Sequence, residues 1–314
     1  MTAAGGADDW PALAYDDWAD TQATLHLWTQ VVGKIRMALS RPVNHWWHVP
    51  LYVTARGLTT SPMPCGGRTL EIAFDFLDQH LRLECSDGAG ERLALRPMSV
   101  AVFYREVMAA LARLGVRVRI WTTPSEVEAP IPFEQDDVHR AYDPAAAQRF
   151  WRVLAQADAV MKAFRGRFLG KASPTHFFWG SFDLAVTRFS GRRAPPHPGS
   201  AVLPASVSRE AYSHEVSSCG FWPGAAGVAP LFYAYAYPEP AGFAAAAVRP
   251  RSAHYDASLG EFVLPYEAAR SSHSTEFAVL NFFQSTYDAA ADLGRWPRGE
   301  LERHPPAVAR GSTP

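Results

Sequence analysis

Cysteine is scarce in this chain. Cys65, Cys85 and Cys219 are the only three in 314 residues, widely spaced and without a C-x-x-C pair. An odd number with no paired spacing argues against a disulfide framework and a thiolate zinc site, and fits a reducing cytoplasm. Neither sign of charge dominates: 30 basic residues against 31 acidic ones leave a formal −1. Nucleic acid and anionic membranes both select a basic surplus, so neither is the expected partner. No window approaches the ~18 uninterrupted apolar residues of a membrane span. Met1 to Asp9 has neither the basic start nor the apolar run of a signal peptide. G-x-G-x-x-G, the P-loop, the G-x-S-x-G elbow, H-E-x-x-H and S-x-x-K are all missing. The common nucleotide-binding and serine-hydrolase signatures are thus absent.

Apolar residues make up 48% of the chain and charged ones 19%, which is the balance of a folded globule with a real core. Ten tryptophans and 25 prolines stand out within it. Trp18, Leu25, Val32 and Leu39 recur every seven residues, with Trp28 and Ile35 between them, so a helix is expected from Asp16 or Asp17 to Leu39. An extended run is expected from Val43 to Arg56, then a Gly/Pro loop from Gly57 to Gly67. Strands follow at Thr69 to Phe76, Leu81 to Cys85 and Arg92 to Leu95. Ser99 caps a second helix that stops at Gly115, and Arg117 to Trp121 reads as a strand.

Residues 123–139 are rich in proline and acids and read as a linker on the surface. Asp143-Pro144 then opens a helix, a cap followed by proline in the first turn. Strands are expected at Thr175 to Phe189, Tyr212 to Trp222, Leu231 to Tyr237 and Glu261 to Leu264. A last helix runs from Thr275 to Leu293. One constant shift carries Lys34 onto Arg165, Arg36 onto Arg167, Asn44 onto Thr175 and His45 onto His176. The expected fold is therefore α+β: two pseudo-symmetric α-β-β-β-β-α halves, 10–122 and 140–296, with antiparallel sheets backed by helices and a disordered tail at 297–314.

Side chains alternate along a strand. Across Val43 to Arg56 that rule puts Asn44, His48, Tyr52, Thr54 and Arg56 on one face, and His45 with Trp47 on an apolar one. His45 then reads as a core histidine bonded to backbone. In the second half Trp179, Ser181, Asp183 and Thr187 share a mixed face, while Arg188 falls with His176. An aspartate inside a strand is costly unless paired or exposed, which makes Asp183 informative. His214 and Glu215 are adjacent, so only one of them faces a given cavity. Tyr233, Tyr235 and Tyr237 share a face beside Trp179 and Trp222, a ladder suited to stacking a ligand or to filling a large aromatic core. His48, His176 and His214 with Asp183 or Glu215 supply enough donors for a metal, though no spacing is diagnostic.

Four segments are familiar together: NHWWHVPLYVTARGLTTSP from Asn44, THFFWGSFDLAVTRFSGRRAPPHP from Thr175, EAYSHEVSSCGFWPG from Glu210 and YAYAYPEP from Tyr233. The chain resembles, from about Trp10 to about Trp296, a bacterial family labelled domain of unknown function 5996. The resemblance implies one architecture and supplies no activity, cofactor or catalytic residue. Pro50 in the first segment lacks a ladder donor and implies an edge or a bulge.

The expectation is a small-molecule enzyme with an aromatic-lined pocket between the two halves. His48 would be the acid/base and Asp183 or Glu215 its carboxylate partner. Arg56 and Arg188 would anchor an anion, and Tyr52, Trp179, His214 and Tyr235 would contact substrate. A non-catalytic ligand-binding protein using the same pocket is the alternative. A third reading is an interaction module docking a partner on the Pro-rich loop from Ala194 to Pro204. Neither a cofactor nor an oligomeric state is specified.

Overall fold

A computed structural model describes residues 9–199 and 204–303. The first helix, α1 (Ala19–Leu39), follows the predicted stripe, with Trp18 and Trp28 buried and Trp28 stacked on Phe103 at 4.7 Å. Six short strands come next: β1 (Tyr52–Val53), β2 (Gly57–Thr59), β3 (Met63–Cys65), β4 (Arg68–Asp75), β5 (His80–Cys85) and β6 (Gly90–Ala94). They form an antiparallel sheet ordered β1-β2-β4-β5-β6, with β3 also paired to β4. Two of these strands lie in the stretch read as a Gly/Pro loop. Helix α2 (Val100–Arg113) starts where Ser99 accepts from the Val102 amide at 3.3 Å.

The second half opens with α3 (Pro144–Gly166), capped by Asp143 as expected. It continues through β7 (His176–Phe178), β8 (Asp183–Arg193), α4 (Ala205–Ala211), β9 (His214–Trp222), β10 (Leu231–Tyr237), β11 (His254–Asp256) and β12 (Glu261–Pro265). These strands form a second antiparallel six-stranded sheet, ordered β11-β12-β10-β9-β8-β7. Helices α5 (Tyr266–Arg270), α6 (Thr275–Leu293) and α7 (Arg298–Leu301) close the chain. The α+β class and the helix–sheet–helix order of each half are as expected, with six strands per sheet where four were predicted. Leu51 and Phe177 exchange two backbone hydrogen bonds at 2.9 Å and so join the edges of the two sheets. Among the described residues no helix is long and apolar enough to cross a membrane, and the three cysteines are free.

Five expectations need correction. Residues 43–51 are not a strand: Asn44–Trp46 form a 3-10 turn in which His45 and Trp46 have φ of 60° and 63°. The expected strand over Thr175 to Phe189 is two strands separated by a tight turn, with Phe182 at φ 62°. Residues 117–121 pair with no ladder among the described residues, although Val118 and Ile120 pack on the core. The 123–139 segment is no surface linker either, since Phe133 and Asp136 are buried and it clamps the start of α2. There Ala101 donates to the Asp136 carbonyl at 3.0 Å and Ser99 to the Asp137 carboxylate at 2.8 Å. Of the expected disordered tail, Arg298–Leu301 is helical and the Leu169 amide donates to the Leu301 carbonyl at 2.7 Å. Residues 304–314, and 200–203 of the Pro-rich loop, lie outside the described residues.

Candidate functional site

The two faces of the second sheet differ in chemistry. Leu184, Val186, Phe221 and Phe232 are buried on the side packed by α3 and α6, with Phe232 against Phe283 of α6 at 5.9 Å. On the other side Asp183, Thr187, Ser218, Tyr233, Tyr235 and Glu261 line a cavity of about 690 Å³. That volume lies in the ordinary range of small-molecule sites. Its roof comes from elsewhere in the chain: Met37 at the end of α1, the turn around His45, Ser125 with Glu126, and α4. Both halves therefore contribute walls, but the floor is one sheet rather than a seam between two.

Register explains the floor. Tyr233 on β10 is paired with Gly220 on β9, and Gly220 with Ala185 on β8. A Cβ at Gly220 would lie 2.3 Å from the Tyr233 phenol, so only glycine lets that ring lie across β9. The Tyr233 hydroxyl thereby reaches β8 and donates to the Asp183 carboxylate, whose other oxygen accepts from Ser181. Beside it the hydroxyls of Tyr235 and Tyr212 are 2.8 Å apart, and Tyr233 stacks on Tyr235. Trp179 forms another wall. Its indole donates to the Val49 carbonyl at 2.8 Å and lies against α1 at Gly33, where a Cβ would come within 2.3 Å of the ring.

Three polar side chains on α1, at i, i+4 and i+8, hold the loops of the roof in place. His26 donates through Nε2 to the Gly180 carbonyl at 2.9 Å. Gln30 donates to the Ser125 carbonyl at 2.9 Å and accepts from its amide at 2.8 Å. Lys34 donates to the Thr123 carbonyl at 2.6 Å. These bonds bring Glu126, at φ 57°, into the cavity wall. The segment read as a linker thus supplies a carboxylate that the sequence reading missed. The available signal was the polar stripe itself, on a helix that is otherwise mostly buried.

The electrostatics follow from burial. Asp183 is 7% exposed, and burial raises its pKa against the opposing pull of its two hydroxyl donors. Glu126 is pushed up to about 7 by burial and then by the charge of Asp183. Glu261 is likewise pushed up to about 7 by burial, Asp183 and Asp256. At the far wall His45 donates from Nδ1 to the Ala211 carbonyl at 3.1 Å, and its Nε2 accepts from Lys171 at 2.7 Å. Burial, more than the nearby charges of Lys171 and His214, lowers its pKa and keeps it neutral.

Of the catalytic and substrate-contacting residues expected from sequence, Asp183, Trp179 and Tyr235 line this cavity, together with Tyr233 and Trp222 of the expected aromatic ladder. The other expected catalytic and substrate-contacting residues lie elsewhere. His48 points away from it: its Nδ1 accepts from the Val43 amide at 3.2 Å and its ring stacks on Trp46. The left-handed turn at 45 and 46 breaks the alternation that had put His48 on a site face, and His45 reaches the cavity instead. Glu215 is held by Arg192 at 2.6 Å and by Ser190 at 2.7 Å, toward the end of α6. His214 meets the Ser213 hydroxyl at 3.1 Å and abuts His45 edge-on. Arg56 pairs with Asp75 and Asp78 at the rim of the first sheet. Arg188 is buried on the helix side, where its guanidinium sits 3.5 Å from the Phe164 ring centroid and 4.3 Å from that of Tyr287. Tyr52 lies under Arg36 and against His176. Among the described residues no three His, Cys, Asp or Glu are grouped to hold a metal ion.

No curated protein and no solved structure matches the chain. A family model does, over residues 10–303, and it includes every residue of the cavity wall. The chain belongs to that family, a family of unknown function (DUF5996).

Proposed function

We propose that this protein takes up a small organic molecule in the aromatic cavity and acts on it by acid–base chemistry. The observation that carries this reading is that Asp183, Glu126 and Glu261 all line the cavity, with the charge of Asp183 acting on both glutamates. A carboxyl group titrating near neutrality is suited to give or take a proton at working pH, and Glu126 and Glu261 are both held there by burial. Asp183 is fixed by Tyr233 and Ser181 and serves as the charge that sets its neighbours. Trp179, Tyr233 and Tyr235 supply flat surfaces for stacking. The acid–base role passes from the histidine expected in sequence to carboxyl groups.

A mixture of small metabolites incubated with the protein, with mass spectrometry reading which compound is depleted, tests this. Depletion by the wild type that is lost in Glu126→Gln or Glu261→Gln supports it. A compound that is retained by the protein yet never converted points to a binding protein instead. The absence of both retention and depletion overturns both readings.

A further inference from the structure

The charge of the cavity wall is one-sided. Asp183, Glu126 and Glu261 face it, and among the described residues no lysine or arginine lines it. The carboxyl groups of Glu126 and Glu261 have no hydrogen-bond or ion-pair partner among the described residues, and the side chain of Asp183 is met by hydroxyl groups. Several acids elsewhere in the fold are paired with bases: Asp75 with Arg56, Glu91 with Arg113, Glu215 with Arg192, Glu302 with Arg298. The cavity acids have no such base, with Asp183 buried and Glu126 and Glu261 half-buried. A buried carboxylate without a counter-charge is costly. The rest of the wall is aromatic, and an aromatic face attracts a cation. Lys171 does not line the cavity: it donates to His45 and lies over Trp47 and Phe189.

We infer that the ligand of this cavity is an organic cation, a protonated amine or amidine carried on a flat apolar body. Its cationic group would lie beside Asp183, within reach of the charge of Glu126 or Glu261, and its flat part against Trp179 and the Tyr233–Tyr235 stack. The inference deepens the small-molecule reading above and rests on it. A neutral ligand would leave the acids uncompensated, and an anion would add to their repulsion.

Calorimetric titration with three probes of similar shape and different charge tests the inference: phenethylamine, 2-phenylethanol and 3-phenylpropionate. The amine is expected to bind at least about tenfold more tightly than the alcohol, and the carboxylate least of all. Glu126→Gln and Glu261→Gln are each expected to narrow the gap between amine and alcohol, chiefly by weakening the amine. Equal binding of amine and alcohol, or tighter binding of the carboxylate, overturns the cationic assignment and leaves the small-molecule pocket standing. Failure of all three probes at millimolar concentration, with the variants folded by circular dichroism, overturns the pocket reading as well.

Discussion

Tyr233 and Asp183 are joined by a hydrogen bond although a whole strand separates them. The bond exists because Gly220, on the strand between, has no side chain to lift the tyrosine ring away. Gly220→Ala is therefore expected to act on the cavity floor through packing. A methyl group 2.3 Å from the phenol and 2.4 Å from the Leu184 carbonyl has no room on either side. Overpacking of this kind costs about 1–3 kcal/mol, measurable by urea denaturation. Tyr233→Phe removes only the donor and leaves Asp183 with Ser181 alone, at a cost of about 1–3 kcal/mol. If Gly220 acts by positioning Tyr233, the double variant is less destabilised than the sum of the two.

Gly33 makes a matching prediction on the opposite wall. Gly33→Ala places a Cβ within 2.3 Å of the Trp179 indole, inside a helix where alanine is otherwise the favoured residue. Trp179 is expected to leave its site and lose its bond to Val49, with a net loss of about 1–3 kcal/mol and a red-shifted tryptophan emission. Gly166→Ala, at the end of α3 with nothing within 4 Å, is the control. It is expected to be neutral or stabilising by about 0.4–1 kcal/mol. Equal behaviour of the two variants would mean that Gly33 is not a packing position.

These two glycines mark where local pattern ceases to describe the molecule. The long helices were legible because their signals are local: Ser99 and Asp143 cap their helices, and the helix Thr275–Leu293 ends before Gly294 as its stripe predicts. Leu231–Tyr237 was legible as a strand from its alternation alone. The site residues were misassigned wherever alternation was carried through a hidden turn. His45, Trp46 and Phe182 adopt positive φ without being Gly or Asn, so no residue type announces the break. Long-range partners, the Ala211 carbonyl and Lys171 at His45, surround the first of these turns. Glu126 was missed for a related reason, because the residues that bring it to the wall lie on α1, far away in sequence.

The acidic wall has a pH signature whose sign can be worked out. In the unfolded chain Glu126 titrates near its ordinary 4.5, and in the folded protein near about 7. Between those values the folded state holds a proton that the unfolded state has released, so this group makes stability fall as pH rises. His26 acts in the opposite sense: burial lowers it from 6.5 to about 4, so its contribution to stability grows over that interval. The two oppose each other in the wild type, and the informative quantity is a difference. Glu126→Gln is expected to gain stability relative to wild type between about pH 5 and about pH 8, with Glu261→Gln behaving alike. Thermal unfolding at several pH values reads this, and a difference that is flat with pH would mean that the carboxyl groups are not raised.

The stripe on α1 separates a hydrogen-bonding role from a charge. Gln30→Leu strips both the amide and the carbonyl of Ser125 of their partner. Ser125 is half-buried, so water recovers part of the loss, and the expected cost is near the lower end of about 1–3 kcal/mol. Faster amide exchange over residues 123–127 is expected to accompany it. Lys34→Met keeps the length of the side chain and removes a buried charge whose pKa burial has lowered from 10.5 to about 8. The Thr123 carbonyl loses its donor, while the desolvation of an ammonium group is relieved, so the net change at neutral pH is expected to stay within about 1 kcal/mol. The pH dependence distinguishes the two terms. From about pH 8 to about pH 10.5 the unfolded lysine is charged and the folded one is not, so wild-type stability rises through that window and the methionine variant does not share the rise. Denaturant midpoints of the pair at pH 7.5 and 10 measure it. A constant difference would show that Lys34 keeps its ordinary pKa and is no more than a hydrogen-bond donor to the loop.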